Sequence, residues 1–291
     1  MFLGHNWLVK HNPEVNWKNR TIKFTRCSGS CKMKHQNIEF KIRRTQATDK
    51  NGTRQEWDHE INLMDEAPWE LNAKAYAMTL KEEEALNQWL DKQLKAELIV
   101  ESKSKYAAPC FYISKKDDSL WLVQDYRKLN QVMIKDKTPL PLIGEVINKL
   151  KEVKYFNKLD LIWGYNNVWI KKGDEWKATL LTNKGLFELQ VIYFGLCNSL
   201  GTFQRMMNSI FRELLHEGVL ANYMDDFVIP AKTKGELEER TIWFLKIAEK
   251  HNLCFKQSKY DFNIEKILIL GVIIEKGQVK MEQKKIKTVK E

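Results

Sequence analysis

Two adjacent carboxylates, Asp225 and Asp226, interrupt an apolar run that reads Val219-Leu220-Ala221-Asn222-Tyr223-Met224 before them and Phe227-Val228-Ile229 after. Acidic side chains seldom sit in such a run unless they are paired or bound to a metal. Successive strand residues point to opposite faces, so neighbouring aspartates reach one site only at a turn. The pattern predicts strand, tight Met-Asp-Asp turn, strand, with both carboxylates at a hairpin tip. Hard oxygen ligands gathered that way suit Mg²⁺, which takes one or two carboxylates and the phosphates of a substrate. A solvated surface turn is the alternative, and Asp117-Asp118, in a polar stretch from Ser114 to Ser119, is what that looks like. A second short apolar strand, Phe156-Asn157-Lys158-Leu159-Asp160-Leu161, carries one further carboxylate. Two-metal phosphoryl or nucleotidyl transfer needs carboxylates converging from separate strands. One ion activates the attacking hydroxyl and the other neutralises the leaving pyrophosphate.

The elements that must position these groups are legible on either side of them. Thr79 with Glu82 forms a capping-box pattern ahead of a helical stripe of Leu86, Trp89, Leu90, Leu94 and Leu98. Cys110–Ile113 and Leu120–Tyr126 read as strands around a Lys-Asp loop, and Ile143, Val146, Ile147 and Leu150 mark a short helix after Pro141. A longer helix is expected from Asn198 to Gly218, with Phe203, Met206, Met207, Ile210 and Leu214 on one side. Another is expected over Leu237–Asn252. Strands Ile267–Ile274 and Gln278–Met281 should form a hairpin around Lys276-Gly277. Strands and helices alternate irregularly, which predicts an α+β fold rather than a doubly wound sheet. Residues 28–75 are polar, mixed in charge and aperiodic, and are expected to pack little against the rest.

In order along the chain come Val123-Gln124-Asp125-Tyr126-Arg127-Lys128-Leu129-Asn130, Pro139-Leu140-Pro141-Leu142-Ile143, Leu159-Asp160-Leu161 with Trp163-Gly164-Tyr165-Asn166-Asn167, Phe194-Gly195-Leu196-Cys197-Asn198-Ser199 with Thr202-Phe203-Gln204, Tyr223-Met224-Asp225-Asp226 and Leu270-Gly271. This series resembles the reverse transcriptases of gypsy-type LTR retrotransposon Pol polyproteins. The resemblance implies right-hand polymerase fingers and palm, an antiparallel sheet with packed helices, and a thumb missing or incomplete. It implies three regions: 1–27, similar to the C-terminal end of a retropepsin-like protease; 28–78, a polar linker; and 79–291, the reverse transcriptase domain. The Asp-Thr-Gly or Asp-Ser-Gly motif of such proteases occurs nowhere in the chain, so no protease activity is expected.

By the same resemblance, Asp160 and Asp225 ligate two Mg²⁺ ions (Mn²⁺ being the alternative), helped by the Leu161 carbonyl, and Asp226 supports the cluster. Tyr165 would lie under the sugar of an incoming dNTP, or be a core tyrosine. Lys115 or Lys116 would meet the triphosphate, Phe194-Gly195 would floor the nucleotide pocket, Arg127 would face the template and Leu270-Gly271 would grip the primer. The partners implied are an RNA or DNA template with its primer, and dNTP. The chain departs from the family at Trp121-Leu122, where Arg-Pro is usual, at Trp169, where many relatives have arginine, and at Leu200, where proline is usual. Arg→Trp and Pro→Leu are each one C-to-T change away. The alternatives are therefore a decayed, inactive copy or a nucleic-acid-binding module without chemistry.

Composition bounds these readings. A net charge of +10, from 48 basic and 38 acidic residues among 291, favours a polyanionic partner. No apolar run is long enough to span a membrane, and the N-terminus carries no signal-peptide pattern, which predicts an intracellular protein. Five cysteines, an odd number and mostly isolated, suit a reducing compartment. Cys27, Cys31 and His35 fall at four-residue spacing, but a structural zinc needs a fourth ligand and none follows nearby.

Overall fold

The computed structural model describes residues 57–115, 118–161, 164–253, 255 and 261–281, and further upstream the backbone of three short strands. Those strands, β1 (Glu14–Asn16), β2 (Thr21–Lys23) and β3 (Phe40–Lys41), pair antiparallel in that order. The Cys27, Cys31 and His35 set lies outside the described residues, as does most of 1–56. The chain divides into two compact units, one of Met1–Thr45, Pro141–Ile162 and Ile210–Glu291, the other of Gln46–Leu140 and Trp163–Ser209.

The first unit holds all three aspartates. Its centre is a four-stranded antiparallel sheet of β7 (Tyr155–Asp160), β10 (Ala221–Tyr223), β11 (Asp226–Ala231) and β12 (Asp261–Ile264), in the order β10-β11-β7-β12. Alternation along β7 and β11 gives the sheet two different faces. On one, Phe227 packs with Phe211, Phe255 and Phe244 of a helix, Lys234–Lys250, with ring centroids 5.6–5.8 Å away. Phe211 and Phe244 stack at 4.8 Å, only 12° from parallel. Asn157, buried on this face, donates to Thr241 Oγ1 of the same helix (2.8 Å) and accepts from the Asn263 amide (2.8 Å). That second bond absorbs an irregularity in β12, where Asn263 has φ 53°.

On the other face, Phe156, Ala221 and Val228 pack with Val146 and Leu150 of the helix Ile143–Lys151, and with Ile267, Ile269 and Ile274. The last three come from a meander, β13 (Lys266–Ile269), β14 (Val272–Glu275) and β15 (Gln278–Met281). One strand was expected over Ile267–Ile274, and the structure divides it. Leu270 (φ 51°) and Gly271 (φ 78°) form a two-residue turn with both residues left-handed, as do Lys276 and Gly277. Leucine rarely adopts that conformation, so the apolar sequence hid the first turn. The helix expected over Asn198–Gly218 is likewise two, Ser199–Ile210 and Arg212–His216. The break falls at Phe211, whose fully buried ring belongs to the phenylalanine cluster. The helix expected from Leu237 starts at Lys234, capped by Thr233, whose hydroxyl accepts from the Glu236 amide.

The second unit is built on a five-stranded sheet, β4 (Ile99–Glu101), β5 (Ala108–Ser114), β6 (Leu120–Gln124), β8 (Thr179–Thr182) and β9 (Gly185–Leu189), ordered β4-β9-β8-β5-β6. Only β5 and β8 are parallel. The helix Leu80–Lys95 carries the complete capping box of Thr79 and Glu82 and buries Leu86 and Leu90. Among the described residues no helix is long and apolar enough to cross a membrane.

Of residues 28–75, expected to pack little, the stretch 57–72 is laid into this unit. The His59 amide donates to Trp169 O (2.7 Å), and His59 O accepts from Lys171 N (2.8 Å). Met64 N reaches Val132 O, Ile134 N reaches Asn62 O, and Leu71 exchanges bonds with Lys105 and Ala107. His59 and Ile61 are fully buried. Backbone bonds and isolated apolar anchors hold this strap, and neither leaves a periodic sequence signal.

His59 gives the strap a pH signature. Its Nδ1 lies 2.9 Å from Thr202 Oγ1, while Nε2 is buried without a partner. Burial first, then the positive charge of Arg205, lowers its pKa from 6.5 to about 4, against the opposing pull of Asp174, Asp136 and Glu60. The unfolded chain therefore binds the proton more readily. The stability held by neutral His59 is complete above about pH 6.5 and is lost as pH falls towards 4. Urea unfolding at pH 7.5 and 4.5 should show the wild type losing roughly 3 kcal/mol more than His59→Gln. Equal losses would show that His59 titrates freely in the fold.

Candidate functional site

The hairpin β10–β11 pairs Tyr223 with Asp226, which leaves Met224 and Asp225 as a two-residue loop. Only Met224 of these two has positive φ (57°), the pattern of a type II′ turn, in which glycine is usual at that position. A left-handed methionine costs on the order of 1 kcal/mol. The amide of buried Asn222 reaches back to Met224 O (3.5 Å) and braces the loop.

Across the sheet, β11 runs antiparallel to β7 with Asp226 directly opposite Asp160. Two carboxylates thus meet at one end of the central strand pair, and the third stands in the turn. Asp225 is exposed, whereas Asp160 and Asp226 are half-buried. The Leu161 amide faces Asp225 O (3.5 Å), and Leu161 also bridges to Phe255, so the chain leaving Asp160 stays against the turn.

One charged neighbour escaped sequence reasoning. Lys158, two residues before Asp160 and on the same face, places its ammonium 3.0 Å from Asp226 Oδ1 and donates to Leu268 O (3.1 Å). The oxygen donors suit a hard divalent cation in type. Among the described residues, however, no three His, Cys, Asp or Glu side chains stand together as a ready metal cage. Asp226 is instead engaged by the Lys158 ammonium.

Leu270 and Gly271, expected at the primer, form the β13–β14 turn, two residues beyond the carbonyl that Lys158 holds. Asn222 and Lys158 are the residues of this unit that the sequence did not single out. Asn222 stood inside the apolar run as its one polar member.

The remaining candidates lie in the second unit. Tyr165 sits in a 3-10 turn, Gly164–Asn167, its buried ring 4.4 Å from Phe194 and 5.2 Å from Phe203. Phe194 is half exposed and meets Trp121 edge to face at 5.4 Å. Lys115 Nζ lies 5.1 Å from the centre of the Trp121 ring, while Lys116 is outside the described residues. Gly195 has φ 112°, and a Cβ there would come within 3.2 Å of Gln124 O, so only glycine fits. Asn130, an unremarked member of the Asp125–Asn130 block, clamps this bend from both sides. Its amide donates to Gly195 O (2.7 Å) and its carbonyl accepts from Cys197 N (2.9 Å).

Arg127 engages Asp125 in a fork of two bonds, Nε to Oδ1 (2.8 Å) and Nη2 to Oδ2 (2.7 Å), joined by the Tyr76 hydroxyl. That guanidinium, with the Tyr76 hydroxyl, holds Asp125 well below the usual carboxylate range.

Residues 113–274 match the family model for reverse transcriptase (RNA-dependent DNA polymerase). The Transposon Tf2-3 polyprotein of Schizosaccharomyces pombe is 31% identical over 221 residues, which are 76% of this chain and 16% of that one. The retrovirus-related Pol polyprotein from transposon 297 of Drosophila melanogaster is 31% identical over 237 residues, 79% of this chain and 22% of its own length. The chain thus spans under a quarter of either polyprotein. Among solved structures, the foamy viral protease-reverse transcriptase in complex with RNA/DNA hybrid superposes with TM-score 0.71 at 19% identity, over 80% of this chain and 31% of that one. The same protein with dsDNA gives 0.72 at 19%, over 81% and 49%. That likeness shows the fold, the α+β fingers and palm of a reverse transcriptase.

Proposed function

Because this chain belongs to the reverse transcriptase (RNA-dependent DNA polymerase) family, we propose that it is the polymerising segment of a gypsy-type LTR retrotransposon Pol polyprotein. It would extend a primer on an RNA or DNA template with dNTP. The observation that carries the reading is the pairing of Asp226 with Asp160 across β11 and β7, with Asp225 in the adjoining turn. Such a pairing of strands supports the reading by setting two of the three aspartates directly opposite each other, with the third in the adjoining turn.

In this reading Asp160 and Asp225, with the Leu161 carbonyl, hold divalent cations (Mg²⁺ or Mn²⁺), and Asp226 supports them. The cations would polarise the primer hydroxyl and neutralise the departing pyrophosphate. Tyr165, held rigidly by Phe194 and Phe203, would present a flat wall to the sugar. Gly195, fixed by Asn130, would keep the pocket floor open to a close backbone approach, and Lys115 or Lys116 would meet the triphosphate. Arg127 would touch the template and Leu270-Gly271 the primer. The net charge of +10 favours such a polyanion. Upstream, residues 1–27 would be a protease remnant. The polymerase segment, expected from residue 79, would then include the strap from His59 to Leu71, which packs in the second unit.

The test is primer extension by the purified chain on an RNA template with Mg²⁺, and no extension in any divalent cation would sink the reading in its active form. Trp121 favours a second reading, a copy that folds but polymerises poorly, because an indole stands against Phe194 where relatives carry a triphosphate-clamping arginine. Trp121→Arg should then lower the apparent KM for dNTP roughly tenfold to a hundredfold, the worth of one or two charge-assisted hydrogen bonds.

A further inference from the structure

Lys158 is a poor choice for an ordinary strand position. Its neighbour two residues back, Phe156, is fully buried, and Val228 directly opposite is fully buried too. Its side chain is only 21% exposed. A cation placed there is costly unless it finds fixed partners. It has two, and both bear on the site: Asp226 Oδ1 at 3.0 Å and Leu268 O at 3.1 Å. The second partner belongs to the strand that leads into the Leu270-Gly271 turn. Asp160 is the next residue along on the same face, about 7 Å away by strand geometry.

We propose that Lys158 is a positioning residue of the carboxylate site, an internal counter-ion that holds Asp226 off an incoming divalent cation and ties it to the strand carrying the Leu270-Gly271 turn. This rests on the reading of Asp160, Asp225 and Asp226 as the cation-holding set. Lys158 weakens cation loading twice over. It occupies one carboxylate oxygen that the cation would otherwise attract, and it sets a unit positive charge beside the cation's position. Repulsion between the carboxylates is thereby eased, and they are kept from binding a cation tightly before a substrate's phosphates arrive. The phosphates of a bound substrate would supply the negative charge that draws the ammonium away from Asp226.

The test uses Mn²⁺ alone, titrated into the full chain without nucleotide or primer and followed by the electron paramagnetic resonance of the free ion. Lys158→Met should tighten Mn²⁺ binding on the order of tenfold, the effect of removing one charge about 7 Å away through water. Lys158→Arg should restore the wild-type affinity, and Asp160→Asn should abolish the tightened site. If Lys158→Met fails to fold, judged by circular dichroism, Lys158→Gln gives the same reading. A merely structural lysine would leave the affinity unchanged or weaken it, and either result overturns the proposal. Mn²⁺ binding that ignores Asp160→Asn in every variant would overturn the cation-site reading itself, and this proposal with it.

Discussion

Asp225→Asn should abolish the proposed primer extension while leaving the fold intact. Asn keeps the size of the side chain and is as much at home in a tight turn, but a neutral amide is a poor ligand for a hard divalent cation. Loss of several kcal/mol of electrostatic stabilisation at the reacting phosphate corresponds to about a thousandfold or more in rate. Asp225 is exposed at the loop, so its replacement should change unfolding free energy by no more than about 0.5 kcal/mol. Asp160→Asn should behave alike. Asp118→Asn is the matched control: an exposed aspartate in another loop, also part of an Asp-Asp pair, whose loss should leave extension unchanged. Extension surviving at wild-type rate in Asp225→Asn would place the chemistry elsewhere or in a contaminant.

Phe244→Ala should be the most destabilising single truncation in the unit that carries the aspartates. The Phe244 ring is fully buried and meets three others, stacked on Phe211 and tilted against Phe227 and Phe255 at 5.2–5.8 Å. Replacing such a ring by a methyl group removes transferred surface and leaves a cavity that the surrounding rings cannot fill without breaking their own geometry. A loss of about 3–5 kcal/mol is expected in urea unfolding. Phe244→Leu should cost well under half as much. A drop below about 1 kcal/mol for Phe244→Ala would mean that the cluster collapses freely and is not the anchor it looks to be.

How much of this was readable in advance depended on whether the signal was local. The capping box at Thr79 and Glu82 spans four residues, and the hairpin around Asp225 is a tight turn between apolar runs. Both were legible because their physics is contained in a short window. The partners of Lys158 are not, since Leu268 lies 110 residues away and a lysine in a strand says nothing of the acid it will meet. The division of the long helix at Phe211 depended on rings from three distant segments. Leu270 hides a turn behind an ordinary strand residue, since leucine gives no sign of a left-handed φ. The strap at 57–72 was misjudged for a similar reason: a segment held by its backbone, with Ile61 and Leu71 as isolated anchors, has the composition of a linker.

The sheet order β10-β11-β7-β12 has a consequence for how the chain leaves the ribosome. The strand β7 sits between two neighbours that both follow it in sequence. At ordinary rates of synthesis, about 5–20 residues per second, β7 waits roughly 3–13 s for β11 and longer for β12. Through that interval it is a nascent strand with both edges bare, the situation in which an apolar segment pairs with the wrong chain. Its sequence, Tyr155-Phe156-Asn157-Lys158-Leu159-Asp160, places a polar residue beside every apolar one after the first pair. The groups that later tie the sheet together therefore also act, before there is a sheet, as gatekeepers against aggregation.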